Sequence, residues 1–177
     1  MLDRPEKALL RALILAPVLW LAPGCNPFAP TLDDELANPE SVLGNRRYIN
    51  GFFEWFRNSY IQRDSAMYGK ILAPDFVFTY INFENSTEES WDRNVEINTT
   101  HNLFRNVRSI NLQWNQYADV DTLTYDTLAR VERNFNLVIT QDDNNVFRGV
   151  GSALLILRRD NPTDYWRMKS WYDKSDF

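Results

Sequence analysis

The sequence predicts an α+β fold in which three helices gather on one face of a curved, mostly antiparallel sheet. Two observations support this prediction. Apolar residues first recur at helical spacing, whereas apolar and polar residues alternate over residues 109–118 and 129–139, as they do in strands. Short polar links join the last four predicted strands, and such links favour an antiparallel meander. The chain has 177 residues. Without the 24 residues of an N-terminal leader, 177 − 24 = 153 remain, which is the length of one domain.

The first predicted helix covers residues 39–62, where apolar side chains form one stripe over five turns. Asn38 can serve as its N-cap, because its side chain can accept a hydrogen bond from the first turn. A polar break follows, and Asp64 can cap a short second helix that ends near Leu72. The third predicted helix covers residues 88–104 and begins in a polar, cap-rich segment.

The predicted strands are rich in β-branched and aromatic residues and are bounded by turn-forming residues. A turn at residues 73–75 comes before the first strand, and polar turns separate the later ones. The five predicted strands cover residues 76–83, 109–118, 129–139, 146–158 and 165–172.

This order of elements, over residues 38–177, resembles the NTF2-like superfamily, which is also called the SnoaL-like or cystatin-like α+β cone. The resemblance includes the Arg63-Asp64 step between the first helices, the segment 73–76 that leads into the first strand, and the closing segment 165–168. It implies a pocket between the helices and the concave face of the sheet. Enzymes of this superfamily, such as ketosteroid isomerase and the polyketide cyclases, use a pocket Asp with Tyr or acidic partners. No motif assigns those roles to a residue of this chain.

Residues 1–24 have the layout of a secretory signal peptide, with a modestly basic start and an apolar run over residues 12–22. That run is too short to span a bilayer, which needs about 20 apolar residues. Gly24 and Cys25 close it and resemble the lipobox of bacterial lipoproteins, which implies lipidation at Cys25. Residues 25–37 would then tether a folded domain, 38–177, to the membrane. The alternatives are an ordinary signal peptide with an incidental cysteine, or an uncleaved apolar anchor.

The amino-acid composition limits the kinds of molecule that the chain is expected to bind. A net charge of −5, without a basic stripe, argues against nucleic-acid binding. The sequence contains no glycine-rich phosphate loop and no Cys/His cluster with metal-ligand spacing, so we expect neither a cofactor nor a metal. Aromatic residues make up 14% of the chain, which is typical of a core of flat side chains or of a lined cavity.

Five side chains are candidates for a ligand pocket. Arg133 lies on the otherwise apolar side of its strand, where it would need an acidic ligand or a protein carboxylate as partner. The sequence favours a structural role over a ligand site: either a structural ion pair or a bulge that turns Arg133 outward. His101 is the only histidine and could act as a base, although no Ser, Cys or second His accompanies it. Tyr80, Trp114 and Tyr172 would share the pocket wall if the strand phases hold.

Two classes of function follow from these features. In the first, the protein is a non-catalytic lipoprotein of the bacterial cell envelope that binds a small hydrophobic or acidic ligand, or a protein partner, and could form a homodimer. In the second, it is an extracytoplasmic NTF2-like isomerase, dehydratase or hydrolase. The sequence shows no acid–base pair, which favours the first class.

Overall fold

The computed structural model describes residues 42–123 and 126–175. Among these residues, two complete helices come before the first strand and one lies between the second and third strands, which is an α+β order. The elements that lie within the described residues are α1 (Ile49–Gln62), α2 (Ser65–Gly69), β1 (Leu72–Asn82), β2 (Thr87–Asp92), α3 (Arg93–Asn106), β3 (Ser109–Leu123), β4 (Leu128–Thr140), β5 (Val146–Arg158) and β6 (Arg167–Asp173).

The strands form one six-stranded sheet in the order β2-β1-β6-β5-β4-β3. Every neighbouring pair is antiparallel except β1 and β6, which are parallel. The predicted meander of four strands is confirmed, because β3, β4, β5 and β6 pair consecutively. The α+β class and the mostly antiparallel sheet are confirmed as well.

Strand β2 differs from the sequence-based expectation, in which residues 88–104 form one helix. Thr87–Asp92 instead pairs with β1, with Glu89 opposite Tyr80. Helix α3 begins only after Asp92, whose side chain accepts hydrogen bonds from the first free N–H groups of that helix. The third helix therefore follows two strands, and the prediction of three N-terminal helices is not confirmed.

Helix α1 begins at Ile49, so the described part of the predicted helix 39–62 is not one continuous helix. Gly44 interrupts it with φ +109°, a conformation that residues with a Cβ rarely adopt. The segment beside Gly44 packs directly on the first turn of α1 at Gly51, where a Cβ would lie 2.0 Å from the carbonyl oxygen of Asn45. Two glycines thus allow the chain to turn back against its own helix.

The junction between α1 and α2 agrees with the predicted break. Arg63 ends α1 in the left-handed region, and Asp64 caps α2 by accepting a hydrogen bond from the Met67 N–H at 2.8 Å. The predicted turn at residues 73–75 is wrong, because these residues belong to β1. There the pairing with β6 shifts register between Leu72 and Val77, so the segment is an irregular part of the strand.

The core lies between the helices and one face of the sheet. Helix α1 contributes most of its apolar side chains to this core because they fall on a single face of the helix. The buried aromatic side chains of α1 are Phe52, Phe53, Trp55, Phe56 and Tyr60. Phe52 packs edge-on against Phe53 and Phe56, and Phe56 packs edge-on against Trp114 and Trp171 of the sheet.

We expect Gly51→Ala to destabilise the protein, although alanine is the better helix former. Its methyl group would overlap the Asn45 carbonyl, and such overpacking costs about 1–3 kcal/mol. Gly69→Ala is the matched control, because a Cβ there would lie 3.7 Å from Ile97, an ordinary contact. Thermal unfolding should show a lower Tm for Gly51→Ala and an unchanged or higher Tm for Gly69→Ala. Equal Tm values for the two variants would contradict the close approach at Gly51.

Candidate functional site

A cavity of about 180 Å³ lies between helices α1 and α3 and the sheet. Its wall is mainly apolar and aromatic, with a few polar groups, as is common for sites that bind small molecules. The lining residues are Phe56, Tyr60, Phe78, Trp91, Glu96, Thr99, Thr100, Leu103, Leu112, Trp114, Phe135, Leu137, Trp171 and Asp173.

The periodicity of each element explains why these side chains meet. Residues two apart on a strand share a face, which brings Leu112 with Trp114, and Trp171 with Asp173, to the cavity wall. Phe56 lies one helical turn before Tyr60 on α1, so both reach the same space. The cavity wall therefore follows from the spacing of these side chains, two residues apart on the strands and four apart on the helix.

Glu96 is the most deeply buried carboxylate of the site, with 4% of its surface exposed. One of its oxygens accepts hydrogen bonds from Tyr68 Oη at 2.6 Å and Thr100 Oγ1 at 3.2 Å. The other oxygen accepts one from Trp91 Nε1 at 2.7 Å. Burial, together with the charge of Glu96, raises the pKa of Tyr68 well above its usual value, so Tyr68 remains a donor.

Asp173 is the second carboxylate that lines the cavity. Its Oδ1 accepts two hydrogen bonds from Ser175, from the backbone N–H at 3.1 Å and from Oγ at 2.5 Å. Its Oδ2 has no hydrogen-bond partner among the described residues. The Oδ2 of Asp173 is therefore an acceptor without a partner among the described residues, whereas both oxygens of Glu96 are occupied.

Two indole groups of the cavity wall lack hydrogen-bond partners. The Nε1 atoms of Trp114 and Trp171 are buried, and within the described residues nothing accepts a hydrogen bond from either. By contrast, Trp55 Nε1 donates to the Met67 carbonyl at 3.0 Å. Leaving a buried donor unsatisfied costs about 1–3 kcal/mol. Both N–H groups are enclosed by protein atoms, so within the described residues their desolvation is not offset.

Of the aromatic residues proposed from the sequence, Trp114 lines the cavity and the other two do not. Tyr80 shares a strand face with Phe78, but it packs beside the cavity and its hydroxyl donates to Glu89 at 2.9 Å. Tyr172 lies on the opposite face of β6 from Trp171, because side chains alternate along a strand. The face of β6 that lines the cavity is therefore the one opposite to that predicted from the sequence.

His101 is exposed on α3, where its Nδ1 lies 3.0 Å from the Ser65 hydroxyl, and it does not line the cavity. This placement agrees with the surface role that the sequence favoured. Cys25 lies outside the described residues. Within 42–123 and 126–175, no group of three or more His, Cys, Asp or Glu side chains is placed to hold a metal ion. No helix in that part of the chain is long and apolar enough to cross a membrane.

Arg133 lies in a separate polar cleft of about 540 Å³ on the other side of Trp114. Its guanidinium stacks on Phe53 and Tyr117, with 4.7 and 4.3 Å to the ring centroids. Its Nε donates to the Asn115 carbonyl at 2.8 Å. Burial lowers the pKa of Arg133. No carboxylate among the described residues forms an ion pair with it, so the structural pair expected from the sequence is absent there.

Sequence reasoning missed the carboxylates of the cavity, Glu96 and Asp173. A signal for Glu96 does exist, because Glu96, Thr100, Leu103 and Phe104 follow helical spacing and form the inward face of α3. A glutamate on such a stripe indicates a buried carboxylate that needs donors. The phase of β6, and with it the position of Asp173, depends on pairing that the sequence does not display.

No protein-family model matches the sequence. No curated protein matches it either. Solved structures do match. A proposed scytalone dehydratase from Novosphingobium aromaticivorans superposes with a TM-score of 0.61 and 11% identity, over 74% of this chain and 83% of that one. A proposed dehydratase of the NTF2-like family from Streptomyces avermitilis gives 0.58 and 13%, over 75% and 96%.

A third similar structure is the hexachlorocyclohexane dehydrochlorinase LinA, type 2, with a TM-score of 0.59 and 7% identity over 73% of this chain and 83% of that one. The chain has the NTF2-like fold. At these identities the likeness shows the fold alone. The cavity described above lies within this fold, and its chemistry follows from its own residues.

We expect Arg133→Leu to leave the Tm unchanged or to raise it. The substitution removes a half-buried charge and leaves no carboxylate unpaired among the described residues, whereas breaking a true buried ion pair costs about 3–5 kcal/mol. Arg57→Leu, in the same cleft but exposed, is the control for added surface hydrophobicity. A large drop in Tm for Arg133→Leu alone would reveal an ionic partner and contradict this description.

Proposed function

We propose that this protein is a lipoprotein of the bacterial cell envelope whose NTF2-like domain binds a small, largely apolar ligand in the aromatic cavity. The observation that carries the proposal is the cavity itself, about 180 Å³ in volume and lined by aromatic rings from α1 and the sheet. An apolar cavity of about 150 Å³ is large enough to bind benzene. The cavity therefore suits a ligand of one ring or of two small rings.

The envelope location rests on the leader. Residues 1–24 have the basic start and apolar run of a signal peptide, and Gly24 stands directly before Cys25. Acylation at Cys25 and at the new amino terminus would anchor the domain stably in the membrane. Two or more acyl chains give stable membrane binding, whereas a single acyl chain binds only weakly and reversibly. The domain would then lie outside the cytoplasm.

An extracytoplasmic enzyme of the isomerase, dehydratase or hydrolase type is the second candidate. One observation favours it: two carboxylates, Glu96 and Asp173, line the same apolar cavity. General acid–base catalysis needs a group that can reach and exchange a proton of the substrate. The three donors around Glu96 occupy both of its oxygens, which leaves Asp173 as the only free base of the pair. This imbalance favours ligand binding over catalysis.

We expect Thr99→Trp to block the cavity. Thr99 lines it yet is exposed, so a larger side chain can cover the opening without entering the core. Asn98→Trp, the preceding exposed position, is the matched control because Asn98 does not line the cavity. In calorimetric titrations of the full chain with toluene, wild type and Asn98→Trp should bind, and Thr99→Trp should bind roughly tenfold more weakly or worse. Failure of wild type to bind toluene or any related ring compound would contradict the proposed function.

We expect lipid attachment at Cys25. Metabolic labelling with a fatty acid should mark the wild-type chain, because the thiol at position 25 is the acceptor. Cys25→Ser should remain unlabelled and should be released from the membrane fraction. Equal labelling of the two proteins would refute the lipoprotein assignment and leave the cavity proposal untouched.

A further inference from the structure

The guanidinium of Arg133 is held in place by neutral groups on the core-facing side of β4. The residues two positions before and after it on that side, Val131 and Phe135, are buried. The pairing of β3 with β4 shifts register on both sides of Tyr117, which lies opposite Arg133. In that irregular stretch the Asn115 carbonyl accepts a hydrogen bond from Arg133 Nε at 2.8 Å, and the Tyr117 hydroxyl accepts one from Nη1 at 3.2 Å. Such irregularities re-aim a side chain, and here a cation lines a polar cleft.

One edge of this guanidinium is free to donate. Of its five N–H groups, Nε and Nη1 each use one in the hydrogen bonds above. The Nη2 atom has no partner within residues 42–123 and 126–175. It is also not one of the enclosed side-chain nitrogens that lack partners there, so it keeps accessible surface. Because Arg133 lines the cleft of about 540 Å³, a molecule in that cleft can reach this nitrogen.

Helix α1 brings a second cation and one carboxylate to the same cleft. Glu54 and Arg57 lie three residues apart on one face of the helix, and both side chains line the cleft. Both are exposed, and neither forms an ion pair with another described residue. Asn50 and Gln113 add side-chain amides. With two arginines and one glutamate, the lining side chains carry a net charge of +1.

This set of charges suits a singly charged anion. Guanidinium N–H groups donate short, charge-assisted hydrogen bonds to carboxylate oxygens. One carboxylate would neutralise the cleft, whereas a phosphoryl group carries about −1.5 to −2 at pH 7 and would leave excess negative charge beside Glu54. Phe53 and Trp114 also line the cleft, so a short apolar chain on the ligand finds contacts there.

The aromatic cavity on the other side of Trp114 has the opposite character. Glu96 and Asp173 line it, and no Lys, Arg or His of the described chain does. A carboxylate placed there would face like charges at low dielectric. The two spaces therefore suit different ligands.

We propose that the cleft beside Arg133 is a second binding site, which takes a small aliphatic monocarboxylate. The carboxylate accepts hydrogen bonds from Arg133 Nη2 and pairs with Arg57, while the apolar chain lies against Phe53 and Trp114. This site goes beyond the proposed function, since it does not depend on the aromatic cavity.

Butyrate and butyramide test the proposal, because they have the same shape and differ in charge. In calorimetric titrations of the full chain at fixed ionic strength, butyrate should bind at least about tenfold more tightly than butyramide. Since a carboxylate loses more hydration than an amide, a cleft without a free cation gives the reverse order. Equal or weaker binding of butyrate would overturn the proposal. Tighter binding of inorganic phosphate than of butyrate at pH 8 would overturn the assignment to carboxylates.

Arg133→Leu should remove the preference for butyrate, leaving the affinities of the two probes within about threefold of each other. Arg148→Leu is the matched control, because Arg148 is exposed on β5 and does not line the cleft. It makes the same change in net charge and should keep the preference. Thr99→Trp, which blocks the aromatic cavity, should keep it as well. A preference that persists in Arg133→Leu, or is lost in either of the other two variants, would place the carboxylate elsewhere and overturn the proposal.

Arg57→Leu gives a second test that leaves the core untouched, because Arg57 is exposed. The substitution should weaken butyrate binding by roughly two- to fivefold, as expected for a solvent-exposed ion pair, and should change butyramide binding little. Unchanged butyrate affinity in this variant would contradict the pairing of the carboxylate with Arg57.

Discussion

The packing of one ring, Phe56, determines how the helices meet the sheet. Phe56 is fully buried in the middle of α1. Its edge and face contacts join the first helix, the second helix and two strands of the sheet, so its position fixes the separation between these layers. The rings within about 6.4 Å of its centroid belong to Phe52, Tyr60, Tyr68, Trp114 and Trp171. These rings meet Phe56 at an angle and do not stack flat on it. Phe56 also lines the cavity between the layers.

Much of the fold could be predicted from the sequence, because the elements depend on local patterns of apolar and polar residues. Alternation after residue 109 located β3 to β6, and the short links between them gave the meander. Asp64 was recognised as a cap for the same local reason. The start of α1 was missed because the close approach of Gly44 and Gly51 outweighs a continuous helical stripe. Strand β2 was missed because its polar side chains resemble a helix start, and only pairing with β1 makes it a strand.

The site was harder to predict from the sequence than the fold. It depends on which face of a strand each side chain occupies and on contacts between segments that are distant in the sequence. Of the wall residues that the sequence suggested, Trp114 lines the cavity, whereas on β6 Trp171 lines it and Tyr172 does not. A shift of one residue along a strand exchanges its two faces, so small errors at the turn before β6 reverse the outcome. Glu96 went unnoticed because its donors come from α2 and β2 as well as from its own helix.

The central claim is that the cavity beneath Phe56 holds a small aromatic molecule, and mass spectrometry of compounds released from the purified full chain tests it most directly. The chain would be isolated from the cells that naturally make it, as wild type and as the cavity-blocking variant Thr99→Trp. The account predicts that denaturing wild type releases a neutral one- or two-ring compound that is absent from the variant. Release of no such compound from wild type, or of equal amounts from both proteins, would contradict it.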